Sequence, residues 1–129
     1  MKALVATVAG TFAVDLETDE VEPADPFTPA PQPPVNLPRV IAAAEAGSTL
    51  VALVDAKPPL LVSHDAGTTW RDSGRGLPPG SAIAIAPDDP DVILYAARNR
   101  LYLSSDGGVF WNALALELPE IEAVALRAS

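Results

Sequence analysis

The chain has 129 residues, about half of them apolar, and 17 acidic against 8 basic residues give it a formal net charge of −9. This length fits one compact domain, and this charge excludes the basic stripe that a nucleic-acid-binding surface needs. The absence of cysteine excludes disulfides and thiolate metal sites, and no apolar run approaches the roughly 18 residues that cross a bilayer. We therefore expect a cytoplasmic protein with no nucleic-acid and no membrane partner.

The first apolar stretch, residues 3–10, follows Met1 and Lys2 and is superficially similar to a signal peptide. It is short and runs directly into an acidic segment that begins at Asp15, so we interpret it as a β-strand. The pattern predicts one strand over residues 2–8 and a second over 11–16, followed by an acidic turn at 15–20.

Residues 22–38 contain seven of the fourteen prolines, namely Pro23, Pro26, Pro29, Pro31, Pro33, Pro34 and Pro38. Such a segment is expected to be extended and similar to polyproline, with few backbone hydrogen bonds. It is predicted to be a stiff connection, although a partner with an aromatic groove could also bind it.

The chain then matches itself with an offset of 41 residues. Ser-His-Asp-Ala-Gly-Thr-Thr-Trp at 63–70 aligns with Ser-Ser-Asp-Gly-Gly-Val-Phe-Trp at 104–111, and a Leu-Pro pair follows each tryptophan at the same distance. The second repeat predicts strands A to D over 39–45, 49–55, 60–64 and 68–73. The third predicts them over 81–86, 92–97, 100–105 and 109–116, with a turn at 87–91. Residues 121–128 form a further strand A, and the fold is predicted to be all-β.

Two copies of Ser-x-Asp-x-Gly-x-Thr-Trp at this spacing resemble the BNR, or Asp-box, repeats of sialidases, sortilin-type domains and xyloglucan hydrolases. Residues 63–70 match every fixed position, whereas Phe110 replaces the threonine of the second copy. The resemblance implies blades of a β-propeller. On this basis blade 1 covers 1–28, the proline-rich connection 22–38, blade 2 38–76, blade 3 77–117 and a closing strand A 118–129.

In this pattern each motif closes the turn between strands C and D. The aspartates accept turn N–H groups, the glycines supply a positive φ, the serines add a hydroxyl bond and the tryptophans bury between blades. The expected structural residues are Ser63, Asp65, Gly67, Trp70, Ser104, Asp106, Gly108 and Trp111. The resemblance places them on the face opposite the ligand.

No catalytic constellation is found. His64, the only histidine, lies between a serine and an aspartate, but three consecutive residues cannot converge on one proton path. The arginines do not lie in the context of a sialidase arginine triad, and Tyr95 and Tyr102 fall inside predicted strands. We therefore expect a non-enzymatic binding or scaffold protein without cofactor or metal; the alternative is a glycosidase-like hydrolase or a fragment of one.

The loops on the face opposite the Asp-box turns are expected to form the mouth of a channel. They carry Lys57, Arg75, Arg98 and Asn99, and alignment of the A strands adds Arg39, Ser81 and Glu122. These residues are the candidate contacts for a sugar or an anionic small ligand.

Closed propellers have four to eight blades, and this chain supplies three. The first repeat lacks a strand A, whereas residues 121–128 form a strand A with no blade to follow. If that strand pairs with residues 2–16 of a second chain, no sheet edge stays exposed. The sequence therefore predicts a homodimer with reciprocal strand exchange and six blades; the alternatives are a higher ring or a fragment that docks on another chain.

Overall fold

The computed structural model describes residues 1–127, which form twelve β-strands in three four-stranded antiparallel sheets and contain no helix. The all-β prediction is confirmed. Since the described residues contain no helix at all, none is long and apolar enough to cross a membrane.

Sheet 1 combines both ends of the described chain. Its strands are β1 (Lys2–Thr7), β2 (Gly10–Asp15), β3 (Val21–Pro23) and β12 (Ile121–Arg127), in the order β12-β1-β2-β3. β12 pairs with β1 of its own chain, from Lys2 opposite Arg127 to Ala6 opposite Ala123.

In this single chain, β12 covers the edge of β1 that the expected exchange would fill from a second chain, and the exchange between chains stays a prediction. Two backbone hydrogen bonds fix the entry to β12: Val8 N–H donates to Glu120 O at 3.0 Å and Ile121 N–H donates to Arg98 O at 2.6 Å. The homodimer itself stays a prediction, and residues 128–129 of the expected closing strand lie outside the described residues.

Sheets 2 and 3 are each built from four consecutive strands. Sheet 2 contains β4 (Val40–Ala46), β5 (Thr49–Val54), β6 (Leu60–Ser63) and β7 (Arg71–Ser73). Sheet 3 contains β8 (Ala82–Ala86), β9 (Asp89–Ala97), β10 (Arg100–Ser104) and β11 (Asn112–Ala113).

The structure differs from the sequence prediction in two kinds of strand. The last strands of sheets 2 and 3 are shorter than the expected 68–73 and 109–116, because the first residues of each span hydrogen-bond within the preceding turn. The expected turn at 87–91 is reduced to residues 87–88, and β9 already begins at Asp89. A register shift between Ile85 and Ala86 lets Pro90 lie in that strand, since the regular ladder is interrupted there.

Sheet 3 lies between the other two and shares a hydrophobic core with each. One core joins Leu94 and Leu101 of sheet 3 to Val5 and Leu126 of sheet 1. The other joins Ile93 and Tyr95 to Val51, Leu53 and Val62 of sheet 2.

Tyr95 is the largest fully buried side chain of the described residues. Its hydroxyl donates to Pro78 O at 2.7 Å, and burial, with a smaller effect of Tyr102, raises its pKa to about 12. Gly80 leaves room for this ring, because a Cβ there would overlap it.

Candidate functional site

The two repeated turns share three internal hydrogen bonds: the serine hydroxyl donates to the aspartate, the glycine N–H donates to the serine, and the N–H four residues after the aspartate donates to the aspartate. Asp65 accepts the Thr69 N–H at 2.8 Å and the Thr69 hydroxyl at 2.5 Å, while the Ser63 hydroxyl donates to the same carboxylate at 2.7 Å. These bonds, the Thr69 hydroxyl first, lower the pKa of Asp65 to about 2.

In the second turn, Asp106 accepts the N–H groups of Val109 and Phe110 at 3.1 and 3.0 Å and the Ser104 hydroxyl at 2.8 Å. The Phe110 N–H is the largest of the causes that lower the pKa of Asp106.

Both turns reverse the chain through left-handed residues. Gly67 and Gly108 have φ near +91°, at 92° and 91°, and their N–H groups donate to the buried hydroxyls of Ser63 and Ser104 at 2.8 and 2.9 Å. Only glycine adopts this backbone without strain. The serines, aspartates and glycines of the repeat therefore bond to other groups of their own turn.

Trp111 links sheet 3 to sheet 2. Its ring packs edge-on to Tyr95 with centroids 6.1 Å apart, and its Nε1–H donates to the Ser73 hydroxyl at 3.2 Å. Ser73 in turn donates to Gly108 O at 2.5 Å. Trp70 and Trp111 are both half-buried, so burial is less complete than the sequence analysis expected.

The turn of sheet 1 keeps one element of this arrangement. Asp15 accepts the N–H groups of Glu17 and Thr18 at 2.9 and 3.3 Å, and the Glu17 bond is the main cause that lowers its pKa. The serine, glycine and tryptophan of the motif are absent there.

His64 is an exposed turn residue. Its Nδ1 lies 3.3 Å from Thr49 Oγ1 and its Nε2 lies 3.4 Å from Arg71 Nη2. Among residues 1–127, no three His, Cys, Asp or Glu side chains come together in a way that could hold a metal ion.

A cavity of about 450 Å³ lies between the three sheets. The first strand of each sheet lines it: β4, β8 and β12 contribute residues 41–45, 82–85 and 122–127, and residues 29–32 add a further side. Its wall is mostly alanine, isoleucine and proline. Its charged lining groups are Glu45, Glu122 and Arg127.

The predicted ligand contacts do not all meet at this cavity. Glu122 and Ser81 line it, and the Ser81 hydroxyl donates to Ile121 O at 3.1 Å. Arg39, Lys57, Arg75 and Arg98 are exposed and Asn99 is half-buried, all in loops between strands. Arg98 and Asn99 contribute backbone bonds, since their carbonyls accept the N–H groups of Ile121 and Leu118.

Arg75 lies in a separate hollow of about 280 Å³ between sheets 2 and 3, together with Arg71, Asp72 and Val109. Glu45, Arg127 and Gln32 also line the larger cavity, and none of them is among the site residues predicted from the sequence. On β4, Glu45 alternates with Ala42, Ala44 and Ala46, which pack on the core with sheet 3. Its side chain therefore lies on the opposite face of sheet 2.

No protein-family model matches this chain, and no curated protein is significantly similar to it. The fold is similar to part of a solved GH74 enzyme from Niastella koreensis, a glycoside hydrolase, with a TM-score of 0.50 and 23% sequence identity. The match covers 92% of this chain and 18% of that enzyme. At this identity the similarity describes the fold alone, and the chain spans about a fifth of the enzyme's length.

Proposed function

We propose that the chain consists of three Asp-box propeller blades and acts as a non-enzymatic binding module, with its ligand in the cavity between β4, β8 and β12. The observation that carries this proposal is that one strand from each of the three sheets lines the same cavity of about 450 Å³. This volume lies within the range of about 300 to 1,000 Å³ typical of small-ligand sites. The internally satisfied turns support a structural role for the motif residues.

The cavity chemistry favours a neutral sugar over an anion. Two acidic residues, Glu45 and Glu122, are among its lining residues, against one basic residue, Arg127. Carboxylates accept hydrogen bonds from hydroxyl groups but repel an anionic ligand. The apolar strand residues between them suit the C–H faces of a sugar ring.

The test is calorimetric titration of the full chain with neutral oligosaccharides, and with phosphate and a sialic acid as anions. We expect binding of at least one neutral sugar, weakened about tenfold or more by Glu122→Gln, since charge-assisted hydrogen bonds contribute about 1.5–3 kcal/mol. Glu120→Gln is the matched control, because Glu120 is exposed and does not line the cavity. Binding of anions alone, or equal loss in both variants, would contradict the assignment.

The second candidate is a glycosidase-like fragment, which two observations favour: the similarity to a GH74 enzyme and the presence of two carboxylates in one cavity. Glycoside hydrolysis uses such a pair as acid and base or nucleophile. We expect no turnover of chromogenic glucosides or xyloglucan oligosaccharides by the pure protein. Turnover that Glu45→Gln or Glu122→Gln removes, and Glu120→Gln does not, would replace the binding proposal.

A further inference from the structure

Sheet 2 has one face that no other sheet covers. Along β5, Val51 and Leu53 belong to the core shared with sheet 3, so Leu50, Ala52 and Val54 point to the opposite face. These three side chains are nevertheless only 9%, 0% and 5% exposed, and Ala43 on β4 is 6% exposed. They belong to neither of the two cores between sheets. The turn of the same sheet covers the Leu50 end of this face, since Gly67 lies beside both Leu50 and Trp70. Another part of the chain must cover the rest of it, around Ala43, Ala52 and Val54.

The segment between β3 and β4, residues 24–39, lies against β4. The Gln32 side-chain Oε1 accepts the N–H of Ala43 at 3.2 Å, Pro33 is buried, and residues 29–32 line the central cavity together with β4. The Ala43 N–H points away from β5, at the free edge of sheet 2, so without Gln32 it would have no strand partner.

The length of this segment also differs from that of the equivalent connections. Residues 74–81 and 114–120, eight and seven in number, lead from sheet 2 to sheet 3 and from sheet 3 to sheet 1, which are neighbours. Residues 24–39 number sixteen and lead from sheet 1 to sheet 2, which have sheet 3 between them. At about 3.1 Å per extended residue, sixteen residues reach about 50 Å.

We propose that residues 24–39 form an intrachain strap that covers the face of sheet 2 where a fourth sheet would pack in a closed ring. Its composition suits this role, because six of its residues are prolines, which bring no N–H group that would need a partner on an apolar surface. Proline also limits the conformations lost on ordering an irregular segment. The chain thus covers the face of sheet 2 that no other sheet covers, and the strap also forms one wall of the proposed ligand cavity.

The first test is the native mass of the full chain by light scattering. The strap predicts a monomer of 13.4 kDa at micromolar concentration, whereas the six-bladed homodimer predicts 2 × 13.4 = 26.8 kDa. A stable dimer that loses the protection of the β4 and β5 amides on dissociation would overturn the proposal, because the covered face would then belong to an interface between chains.

The second test is amide hydrogen exchange measured by NMR. Gln32→Ala should accelerate exchange of the Ala43 amide about fivefold, the factor that corresponds to one lost hydrogen bond of about 1 kcal/mol. Gln32→Glu keeps the acceptor oxygen and should keep the protection, and Thr28→Ala changes an exposed strap residue as control. An Ala43 amide indifferent to Gln32→Ala would contradict the contact.

A third variant replaces residues 27–35 with a Gly-Ser sequence of equal length, so that the chain can still connect the two sheets. We expect several-fold more binding of a fluorescent apolar dye, since Ala43, Ala52 and Val54 lose their cover. Unchanged dye binding in a folded variant would show that the strap does not cover this face.

Discussion

At the scale of single residues, each repeated turn depends on one carboxylate. Asp65 accepts three hydrogen bonds from Thr69 and Ser63, and they lower its pKa from 3.8 to about 2. A carboxyl group with a lowered pKa stabilises the folded state above its ordinary pKa, and this contribution is lost as the pH falls through the folded value.

We therefore expect the melting temperature to fall between pH 4 and 2 partly because of Asp65, and Asp65→Asn to make this dependence shallower. The measurement is a series of thermal denaturations from pH 7 to pH 2. Asp72→Asn, which removes an exposed carboxylate on the next strand, is the control for the loss of one negative charge outside the turn. An identical slope in Asp65→Asn and wild type would show that the turn is not the source.

Ser73 carries a second residue-scale prediction. It is buried, donates to Gly108 O and accepts from Trp111 Nε1, so it bridges sheets 2 and 3. Ser73→Ala leaves both partners without this bond and should lower the free energy of unfolding by about 1–3 kcal/mol, measured in urea. The exposed Ser105→Ala is the control and should cost less than about 0.5 kcal/mol. Equal effects would mean that water replaces the bridge.

At the scale of strands, the sequence predicts best what is local. The alternating apolar runs locate the strands of sheets 2 and 3, because alternation depends only on neighbouring residues. The offset of 41 residues then shows that the strand pattern of sheet 2 repeats in sheet 3. The shorter β7 and β11 follow from hydrogen bonds that Asp65 and Asp106 make inside the turns, which a strand pattern does not express.

The partner of β12 is not a local property. Its sequence identifies it as a strand that would complete the first repeat. The backbone groups at the edge of β1 are paired equally well by β12 of the same chain and by β12 of a second chain. The sequence also does not predict that Glu45 and Arg127 line one cavity or that Gln32 contacts Ala43. Both depend on how strands that are distant in the chain are placed.

A cysteine pair decides between the two arrangements of β12. Leu4 and Ala125 lie opposite each other on β1 and β12, so their Cα atoms are within the distance that a disulfide can bridge. The natural chain has no cysteine that could interfere. Leu4→Cys combined with Ala125→Cys should oxidise to a product of 13.4 kDa on a non-reducing gel. A covalent dimer that the single variant Leu4→Cys does not form would instead support strand exchange.

At the scale of the whole molecule, sheet 3 unites the fold because it packs on both of its neighbours. Sheets 1 and 2 each keep a face turned away from it. The strap accounts for the face of sheet 2, and the first strands of all three sheets meet at the cavity. The candidate site is therefore a product of the packing of the sheets, which is why only Glu122 and Ser81 of the ligand contacts predicted from the sequence line it.

The pairing of Lys2 with Arg127 has a consequence for the order of folding. The strands β1 and β12 are adjacent in space but at opposite ends of the chain, so their contact raises the contact order and requires closure of a very long loop. In a circular permutant, a two-residue turn would join Arg127 to Lys2, and the new chain ends would lie between Asp25 and Pro26. The turn would correspond to residues 47–48, which join β4 to β5, and to residues 87–88, which join β8 to β9. All three sheets would then consist of consecutive strands. Stopped-flow refolding should accelerate about tenfold if the β1–β12 pairing limits the rate, and an unchanged rate would place that pairing after the barrier.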